Sequence, residues 1–248
     1  MGFYTFKTEY LDKRYRCSCI LRVGGVRVKR IVSAQEAVSH IHDGATVMIA
    51  GFLNAPETLI DALVDSKVKD LTIISNDTCY ENQGIGKLIA KRQVKKVITC
   101  HIGTNPETQR QMLAGELEVQ IVPMGTLVEQ VRAGGSGLGG FLTPTGVGTI
   151  AAEGKQVIEV NGKTYLLELP LRADVALIQA SIADRSGNLF HRKTTRNWSP
   201  TMAMAADLVI AQTNEIVDLG DLEPDIVHTP GIFIDYLVQK ERSEAHVG

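Results

Sequence analysis

The sequence predicts an α/β fold in which helices cover the faces of a mostly parallel sheet. A short apolar run, a polar loop and a helical segment follow one another four times between residues 46 and 132. The apolar runs are short and continuous, which is typical of strands buried on both faces. The chain has 248 residues, of which 44% are hydrophobic and 22% charged, as in an ordinary globular protein. We therefore expect one large domain.

The first 29 residues differ from the rest of the chain. They carry many basic residues and three of the six tyrosines, and their apolar residues follow no clear period. The regular pattern begins at Ile31. We therefore predict an N-terminal extension over residues 1–29 and one domain over residues 30–248.

The first half of the domain is predicted to alternate helices and strands. Ser33 is a suitable N-cap for a helix that ends near Ile41, and Glu36 is placed as the capping-box partner. A helix is predicted after each of the four strands. Because a helix between two strands usually forms the crossover that parallel strands need, the strands should run parallel. Strands are predicted at 46–50, 71–75, 96–100 and 118–122, and helices at 57–64, 85–92, 107–114 and 126–132.

The loops that follow these strands form the predicted ligand-binding region. In open sheets of this kind, ligands bind beyond the carboxyl ends of the strands. The predicted loops begin at Gly51, Asn76, His101, Pro123 and Gly134. We expect them to lie together along one edge of the sheet, and this edge is the predicted site.

Residues 133–149 are the most unusual stretch of the chain. They contain seven glycines and one proline, so a regular element here would lose backbone entropy at nearly every second position. We predict a loop whose backbone amides approach a ligand, such as a phosphate or a developing oxyanion. The stretch is neither a dinucleotide fingerprint nor a P-loop, because no strand leads directly into it and no Gly-Lys-Ser/Thr follows.

Strands and turns dominate the second half of the domain. Asn161-Gly162 predicts a type I′ turn that joins two strands into a hairpin. Strands are predicted at 156–160, 163–169, 173–180 and 207–212, a turn at 186–188, and a helix around Met202. A short strand-like piece between Pro224 and Pro230 precedes a final predicted helix at 233–240.

Charge, hydropathy and cysteine spacing exclude several classes of protein. The net charge of -2 provides no electrostatic basis for nucleic acid or an anionic membrane surface as a partner. No apolar run reaches the roughly 18 to 20 residues of a membrane helix, and no signal peptide is recognisable, so we expect a cytoplasmic protein. Cys17 and Cys19 lack a second pair at zinc-ligand spacing, and Cys79 and Cys100 are interpreted as buried thiols.

Few side chains of the predicted edge suit catalysis. His101 lies at a strand end, where a general base can sit, but a histidine bonded to neighbouring backbone is the favoured interpretation. Glu81 and Glu153 lie near glycine turns and are interpreted as surface carboxylates. No metal-ligand spacing, catalytic-triad cue or nucleophile elbow is present. These residues indicate an α/β protein with an amide-rich edge and no identifiable nucleophile.

Several stretches of the chain occur together in a known family. Residues 76–78, 101–108 and 125–130 read Asn-Asp-Thr, His-Ile-Gly-Thr-Asn-Pro-Glu-Thr and Gly-Thr-Leu-Val-Glu-Gln, and the glycine-rich stretch follows at 134–149. Further matches are Arg-Ala-Asp at 172–174, Gly-Asn-Leu at 187–189 and Arg196-Asn197. Over about residues 30–240, the chain resembles the alpha subunit of a family I (3-oxoacid type) CoA-transferase, in particular the acetate/acetoacetate type of bacterial short-chain fatty acid metabolism.

The resemblance implies a fold, a reaction and a partner. The fold is a three-layer α/β structure shared with sugar-phosphate isomerases, and the assembly is a heterodimer or heterotetramer with a beta subunit. The reaction is a ping-pong exchange of CoA between a short-chain acyl-CoA and a free carboxylate such as acetoacetate or butyrate. It proceeds through a glutamyl-CoA thioester whose glutamate belongs to the beta subunit, so no catalytic nucleophile is expected in this chain. Neither a metal nor a cofactor other than the CoA thioester substrate is implied.

The resemblance also implies which residues bind substrate or stabilise an oxyanion. They are Gly51, Phe52, Asn54, Asn76, His101, Gly103, Asn105, Gly135, Gly137, Gly139 and Gly140. Two departures from the family pattern fall on the same edge. The loop Ala50-Gly51-Phe52-Leu53-Asn54-Ala55-Pro56 is two residues shorter than the family signature, and Met124 replaces a common glutamine.

Two alternatives remain open from the sequence. A sugar-phosphate isomerase or deaminase on the same fold would need an acid/base pair and basic phosphate ligands, whereas the loops named above contain no lysine or arginine. A degenerate alpha subunit that assembles without turnover is supported by the shortened loop. The acyl groups, the stoichiometry and the purpose of the first 29 residues are not determined by the sequence.

Overall fold

The computed structural model describes residues 20–23, 26–51 and 54–240. The strands are β1 (Ile20–Val23), β2 (Val26–Ile31), β3 (Thr46–Ile49), β4 (Leu71–Ile74), β5 (Val94–Thr99), β6 (Glu118–Ile121), β7 (Phe141–Thr143), β8 (Val157–Val160), β9 (Lys163–Glu168), β10 (Ala173–Asp184), β11 (Leu189–Phe190), β12 (Ala206–Val217) and β13 (Tyr236–Gln239). The helices are α1 (Ala34–Val38), α2 (Glu57–Ser66), α3 (Gly86–Ala90), α4 (Pro106–Leu113), α5 (Met124–Ser136) and α6 (Ser199–Met204). Within these residues, no helix has the length and apolarity needed to cross a membrane.

One large sheet organises the molecule. Its strand order is β1-β2-β13-β12-β10-β3-β4-β5-β6, with β11 paired to β10, and a separate three-stranded sheet has the order β7-β9-β8. All neighbouring pairs from β2 to β6 along that order are parallel. Strand β1 pairs with β2, and β11 with β10, in the antiparallel direction. The predicted mostly parallel sheet is confirmed.

Alternate side chains of the parallel strands divide the core into two layers. Val47 and Ile49 of β3 pack with α1, α2 and α3, whereas Met48 lies in a second cluster with α5 and α6. These three side chains are fully buried, as expected for a strand that is covered on both faces. The predicted three-layer α/β fold is confirmed.

Most local predictions for the first half and for the hairpin are confirmed to within two residues. The side chain of Ser33 accepts a hydrogen bond from the Glu36 amide at 3.1 Å, as a helix N-cap does. The carboxylate of Glu36 pairs with Arg30 at 2.6 Å, so the reciprocal half of the capping box is replaced by an ion pair. Asn161 and Gly162 have φ of 51° and 70°, as a type I′ hairpin turn requires.

The predicted C-terminal helix at 233–240 is wrong. The chain forms a short 3-10 helix at Gly231–Phe233 and then the strand β13, which lies between β12 and β2. Tyr236, Leu237 and Val238 are each at most 3% exposed, and three consecutive buried side chains suit a strand covered on both faces. The strand-like piece after Pro224 is likewise a 3-10 helix, followed by a single bridge between Leu189 and Thr229.

Part of the predicted N-terminal extension pairs with the main sheet. Strand β2 lies beside β13, where Arg30 and Ile31 are opposite Tyr236 and Leu237, and β1 folds back on β2 as a hairpin. Residues 1–19 lie outside the described residues. The boundary at residue 29 therefore stays a prediction.

The glycine-rich stretch is not a continuous loop, which corrects the prediction for 133–149. Helix α5 continues through Gly134 and Gly135 and ends at Gly137, which has the left-handed φ of 70°. A Cβ atom at Gly134 would lie 1.9 Å from the carbonyl oxygen of Leu171, and one at Gly135 would lie 2.7 Å from the Cβ of Met204. These two glycines allow α5 to approach the neighbouring chain closely, and this packing outweighs their low helix propensity.

We predict that Gly134→Ala destabilises the fold by roughly 1 to 3 kcal/mol, because the added methyl group has no space against Leu171. Gly125→Ala in the same helix is the matched control, since a Cβ atom there has no neighbour within 4 Å. The control should be neutral or slightly stabilising because alanine is the better helix former. Urea unfolding of both variants measures the difference. Equal stability of the two variants would show that the close approach is not needed.

Candidate active site

Hydrogen bonds between neighbouring loops join the carboxyl ends of β3, β4 and β5. The backbone amide of Gly51 donates to Oδ1 of Asn76 at 3.1 Å, and the thiol of Cys100 donates to the Asn76 carbonyl at 2.6 Å. Asn76 is 4% exposed. A Cβ atom at position 51 would lie 2.7 Å from Oγ of Ser75, so only glycine fits without displacing that residue. Asn76 therefore connects three successive loops of the predicted edge.

The side chain of Asn105 holds the loop that precedes α4 through two hydrogen bonds. The Asn105 side chain caps α4 by accepting from the Thr108 amide at 3.0 Å, and it donates to the Thr78 carbonyl at 3.0 Å. Asn105 is fully buried, and these two contacts engage both ends of its amide, so its predicted contact with substrate stays a prediction. The backbone carbonyl of His101 accepts from the Thr78 amide at 3.2 Å.

His101 and Gly103 lie at the exposed rim of this edge. A Cβ atom at Gly103 would lie 2.8 Å from Cε1 of the His101 ring, so the glycine leaves room for the imidazole. Both residues thus lie near the predicted strand ends. Phe52, which was predicted beside them, lies outside the described residues.

A cavity of about 440 Å³ opens beside these loops. It is lined by Ala55, Glu57, Asp77, Cys79, Tyr80, Asn82, Gln83, Lys87 and Thr104. Glu57 accepts from the Gly84 amide at 2.8 Å through one oxygen and pairs with Lys87 at 2.7 Å through the other. Burial lowers the pKa of Lys87, but its bonds to Asp61 and Glu57 outweigh this and raise it overall. Both carboxylate oxygens of Glu57 are therefore occupied, one by the Gly84 amide and one by Lys87.

Asp77 and Cys100, two further candidate nucleophiles of the edge, are also engaged. Asp77 accepts a hydrogen bond from the Cys79 amide through Oδ1. Burial raises the pKa of Cys100, and the nearby Asp77 charge adds to this effect, so the thiol stays protonated and donates to Asn76. Within the described part of the chain, no group of three or more His, Cys, Asp and Glu side chains is arranged to hold a metal ion.

A loop from which the sequence predicted no site residue, although Arg196 and Asn197 match the family, lies against the same edge. The loop, residues 191–197, follows β11 and includes a 3-10 helix at Lys193–Arg196. Its Thr194 hydroxyl accepts a hydrogen bond from the side chain of Asn54, which lies in the loop after β3. The contact joins residues 140 positions apart in the chain, so no local pattern indicates it.

Beneath this loop, His191 is buried between main-chain and hydroxyl groups. Its Nδ1 lies 3.1 Å from the Gln179 carbonyl and its Nε2 lies 2.9 Å from Oγ1 of Thr229. Burial lowers the pKa of His191 from 6.5 to about 4, and the neighbouring charges of His228 and Arg196 oppose protonation further. The imidazole is therefore neutral near pH 7 and serves as a structural support for the loop.

The structure does not bring Gly135, Gly137, Gly139 and Gly140 to the strand-end cluster. Helix α5 starts directly after β6 and runs back across the sheet for 13 residues, which is about 20 Å. Its end packs against Leu171 and Met204, which precede β10 and β12 and so mark the amino ends of the strands. The expectation that all five loops share one edge is therefore wrong for the glycine-rich one. Whether these glycines bind substrate in an assembled enzyme stays a prediction.

We predict that the free energy of unfolding falls as the pH drops from about 6.5 to 4. In this range His191 is protonated in the unfolded chain but stays neutral in the folded chain. The loss contributed by this residue is roughly 3 kcal/mol at the acid end and is absent above pH 6.5. His191→Gln should flatten this part of the profile, and His42→Gln at an exposed position should not. Urea unfolding at pH 7.5 and pH 5 measures the change. Parallel pH profiles for all three proteins would disprove the assignment.

Comparison with known proteins gives matches over most of the chain. Residues 31–240 match the coenzyme A transferase family. The chain is 50% identical over 217 residues to the acetate CoA-transferase subunit alpha of Escherichia coli K12, covering 87% of this chain and 99% of that protein. It is 54% identical over 213 residues to the acetoacetyl-CoA:acetate/butyrate CoA transferase alpha subunit of Clostridium acetobutylicum, covering 85% of this chain and 98% of that one.

A solved structure supports the same relationship. An acyl-CoA transferase apoenzyme from Escherichia coli O157:H7 superposes with a TM-score of 0.80 at 26% identity. The match covers 89% of this chain and 48% of that protein, so this chain spans about half the length of the solved transferase. Together with the matched fold and the strand-end site, these similarities show that the chain belongs to the coenzyme A transferase family.

Proposed function

We propose that this chain is the alpha subunit of a heteromeric CoA-transferase that exchanges CoA between a short-chain acyl-CoA and a free carboxylate. The observation that carries the proposal is the match to two alpha subunits over 98% or more of their length. The solved transferase, by contrast, is about twice as long as the matched region. An alpha subunit of this length therefore needs a partner that supplies the remaining half.

The carboxylates of this edge support a divided active site. Glu57 is bound to Lys87 and to the Gly84 amide, and Asp77 accepts from the Cys79 amide. A carboxylate nucleophile has to be free to attack a thioester carbonyl, and neither of these groups is free. The proposed nucleophile is accordingly a glutamate of the beta subunit, placed against this edge.

The proposed reaction has two half-reactions that mirror each other. The partner's glutamate attacks the acyl-CoA carbonyl, and the CoA thiolate leaves, so that a mixed anhydride forms. The thiolate then attacks the glutamyl carbonyl, which releases the first carboxylate and forms the glutamyl-CoA thioester. The acceptor carboxylate reverses both steps and leaves as the new acyl-CoA. Each attack passes through a tetrahedral oxyanion that needs hydrogen-bond donors.

The proposed contribution of this chain is to place the loop after β3 at the reacting carbonyl. The Gly51 amide is occupied by Asn76, so it fixes the loop and is not itself a free oxyanion donor. The second end of the loop is held where Asn54 donates to Thr194. In this proposal, Asn76 is a positioning residue, and Gly51 and Asn54 border the acyl pocket. The loop from Ala50 to Pro56 is two residues shorter than the family signature. In this proposal, the shorter loop changes which acyl groups the enzyme accepts and leaves the reaction mechanism the same.

The partner is a CoA-transferase beta subunit, in a heterodimer or heterotetramer. The chemistry requires CoA as a thioester substrate and no further cofactor, because the nucleophile and the leaving group are supplied by the partner and by the substrate. We place the enzyme in the cytoplasm, where soluble acyl-CoA substrates are available.

We predict that CoA transfer from acetyl-CoA to acetoacetate requires both subunits. The chain alone and the beta subunit alone should be inactive, and the co-purified complex should form acetoacetyl-CoA. A complex whose partner carries glutamine in place of the nucleophilic glutamate is the control and should be inactive. Turnover by this chain alone would contradict the divided site. A stable complex that transfers CoA to neither acetoacetate nor butyrate would favour a degenerate subunit.

We also predict that Asn76→Leu lowers kcat of the complex by roughly 10- to 100-fold with little change in complex formation. The loss of the Gly51 contact frees the loop, and misplacement of a catalytic loop by about 1 Å costs rate on this scale. Gln93→Leu is the matched control, because Gln93 is also a buried amide but lies at the amino ends of the strands. It should reduce the unfolding free energy and leave kcat unchanged. If both variants lose only stability, Asn76 has no positioning role.

A further inference from the structure

The loop of residues 191–197 carries positive charges that no carboxylate within the described residues neutralises. Eight arginines have described side chains, and six of them form ion pairs. Arg192 and Arg196 form none within the described chain, and they lie four residues apart on this loop with Lys193 between them. All three side chains are exposed. Two unpaired guanidinium groups and an ammonium group on one short loop favour an anionic ligand.

Several contacts fix the backbone of this cationic loop. The Arg192 amide donates to Oγ of Ser181 at 2.9 Å, and the Thr195 hydroxyl donates to the Arg192 carbonyl at 2.6 Å. Lys193 has a left-handed φ of 51°, which residues other than glycine rarely adopt. The charges are thus presented from a defined turn rather than from a flexible segment.

The Arg192 guanidinium is also preorganised by an aromatic ring. The Arg192 guanidinium lies 5.8 Å from the centre of the Phe190 ring, and the same ring stacks on His228 at 5.1 Å. A planar guanidinium held over a ring loses less side-chain freedom when it binds an anion. Burial lowers the pKa of His228, and the positive charge of Arg196 lowers it further.

The cationic loop lies at the proposed active edge. Its Thr194 contacts Asn54 of the loop after β3, and its anchor Ser181 lies in β10 four residues beyond Leu177, which pairs with Ile49 of β3. The loop therefore flanks the strand ends from the β10 side. A long ligand whose reacting end lies near Gly51 passes these cations when its other end leaves the site on the β10 side.

We propose, building on the function inferred above, that the cationic loop binds the phosphate groups of coenzyme A. Coenzyme A carries a pyrophosphate and a 3′-phosphate at the far end of a long arm, and several exposed cations at the rim suit such a polyanion. A short-chain carboxylate has one charge and reacts at the loop after β3. The phosphates are held by the Arg192 and Arg196 guanidinium groups and the Lys193 ammonium group.

The test compares substrates with and without phosphates in the two-subunit complex. For the variant Arg192→Met/Arg196→Met, the KM for acetyl-CoA should rise roughly tenfold or more, because charge-assisted hydrogen bonds to phosphate are lost. The KM for acetylpantetheine, which has no phosphate, should equal that of the unaltered complex. Acetyl-3′-dephospho-CoA assigns the effect to the 3′-phosphate or the pyrophosphate. Arg132→Met, at an exposed arginine paired with Glu129 on α5, is the matched control and should change neither value.

Equilibrium binding of free CoA to the same complexes needs no turnover and separates this inference from the proposed function. If the unaltered complex binds CoA but transfers none, the proposed function fails, and the affinities of the variants still decide the role of the loop. A weaker affinity for CoA in the double variant alone supports the inference. Unchanged CoA affinity, a raised KM for the carboxylate acceptor alone, or loss of subunit association in size-exclusion chromatography would each overturn it.

Discussion

The parallel register of β10, β3, β4 and β5 is the constraint on which the site depends. Ile49 of β3 lies beside Leu177 of β10, and Ile74 of β4 pairs with Met48 and Ile98, so these strands reach one edge in register. Loops that are far apart in the chain then start side by side. Because their backbone groups would otherwise be buried without partners, side chains such as Asn76 take the hydrogen bonds between them. The same bonds that satisfy the backbone also fix the loop after β3.

This arrangement assigns different tasks to the charged groups of the edge. The carboxylate of Glu57 neutralises Lys87 and holds the turn at Gly84, so it supports the cavity without being available for chemistry. On the other side of the edge, Arg192 and Arg196 have no counter-charge within the described chain. An edge that holds its own carboxylates in place and leaves cations exposed is suited to an anionic substrate and to a nucleophile supplied from outside.

Sequence patterns predicted the βα units well because each depends on neighbours in the chain. The Ser33 cap, the Asn161-Gly162 turn and the apolar strands follow from contacts within a few residues. Two wrong predictions, a loop at 133–149 and a helix at 233–240, have a different cause, which is contact with distant parts of the chain. The glycines at 134 and 135 are helical because Leu171 and Met204 lie against them, and residues 236–239 form a strand because β12 and β2 lie on either side. Tertiary contacts override local preference at these positions.

The sequence by itself determined the fold class, the strand-end position of Gly51, Asn76 and His101, and the absence of a recognisable nucleophile. Motifs and periodicity are local, and a parallel sheet places strand ends together whatever the details of packing. Only the tertiary structure decided that the glycine-rich stretch lies at the opposite edge, since the length and direction of α5 set its position. It also brought the loop at 191–197 to Asn54, because a contact across 140 residues depends on how the sheet is assembled.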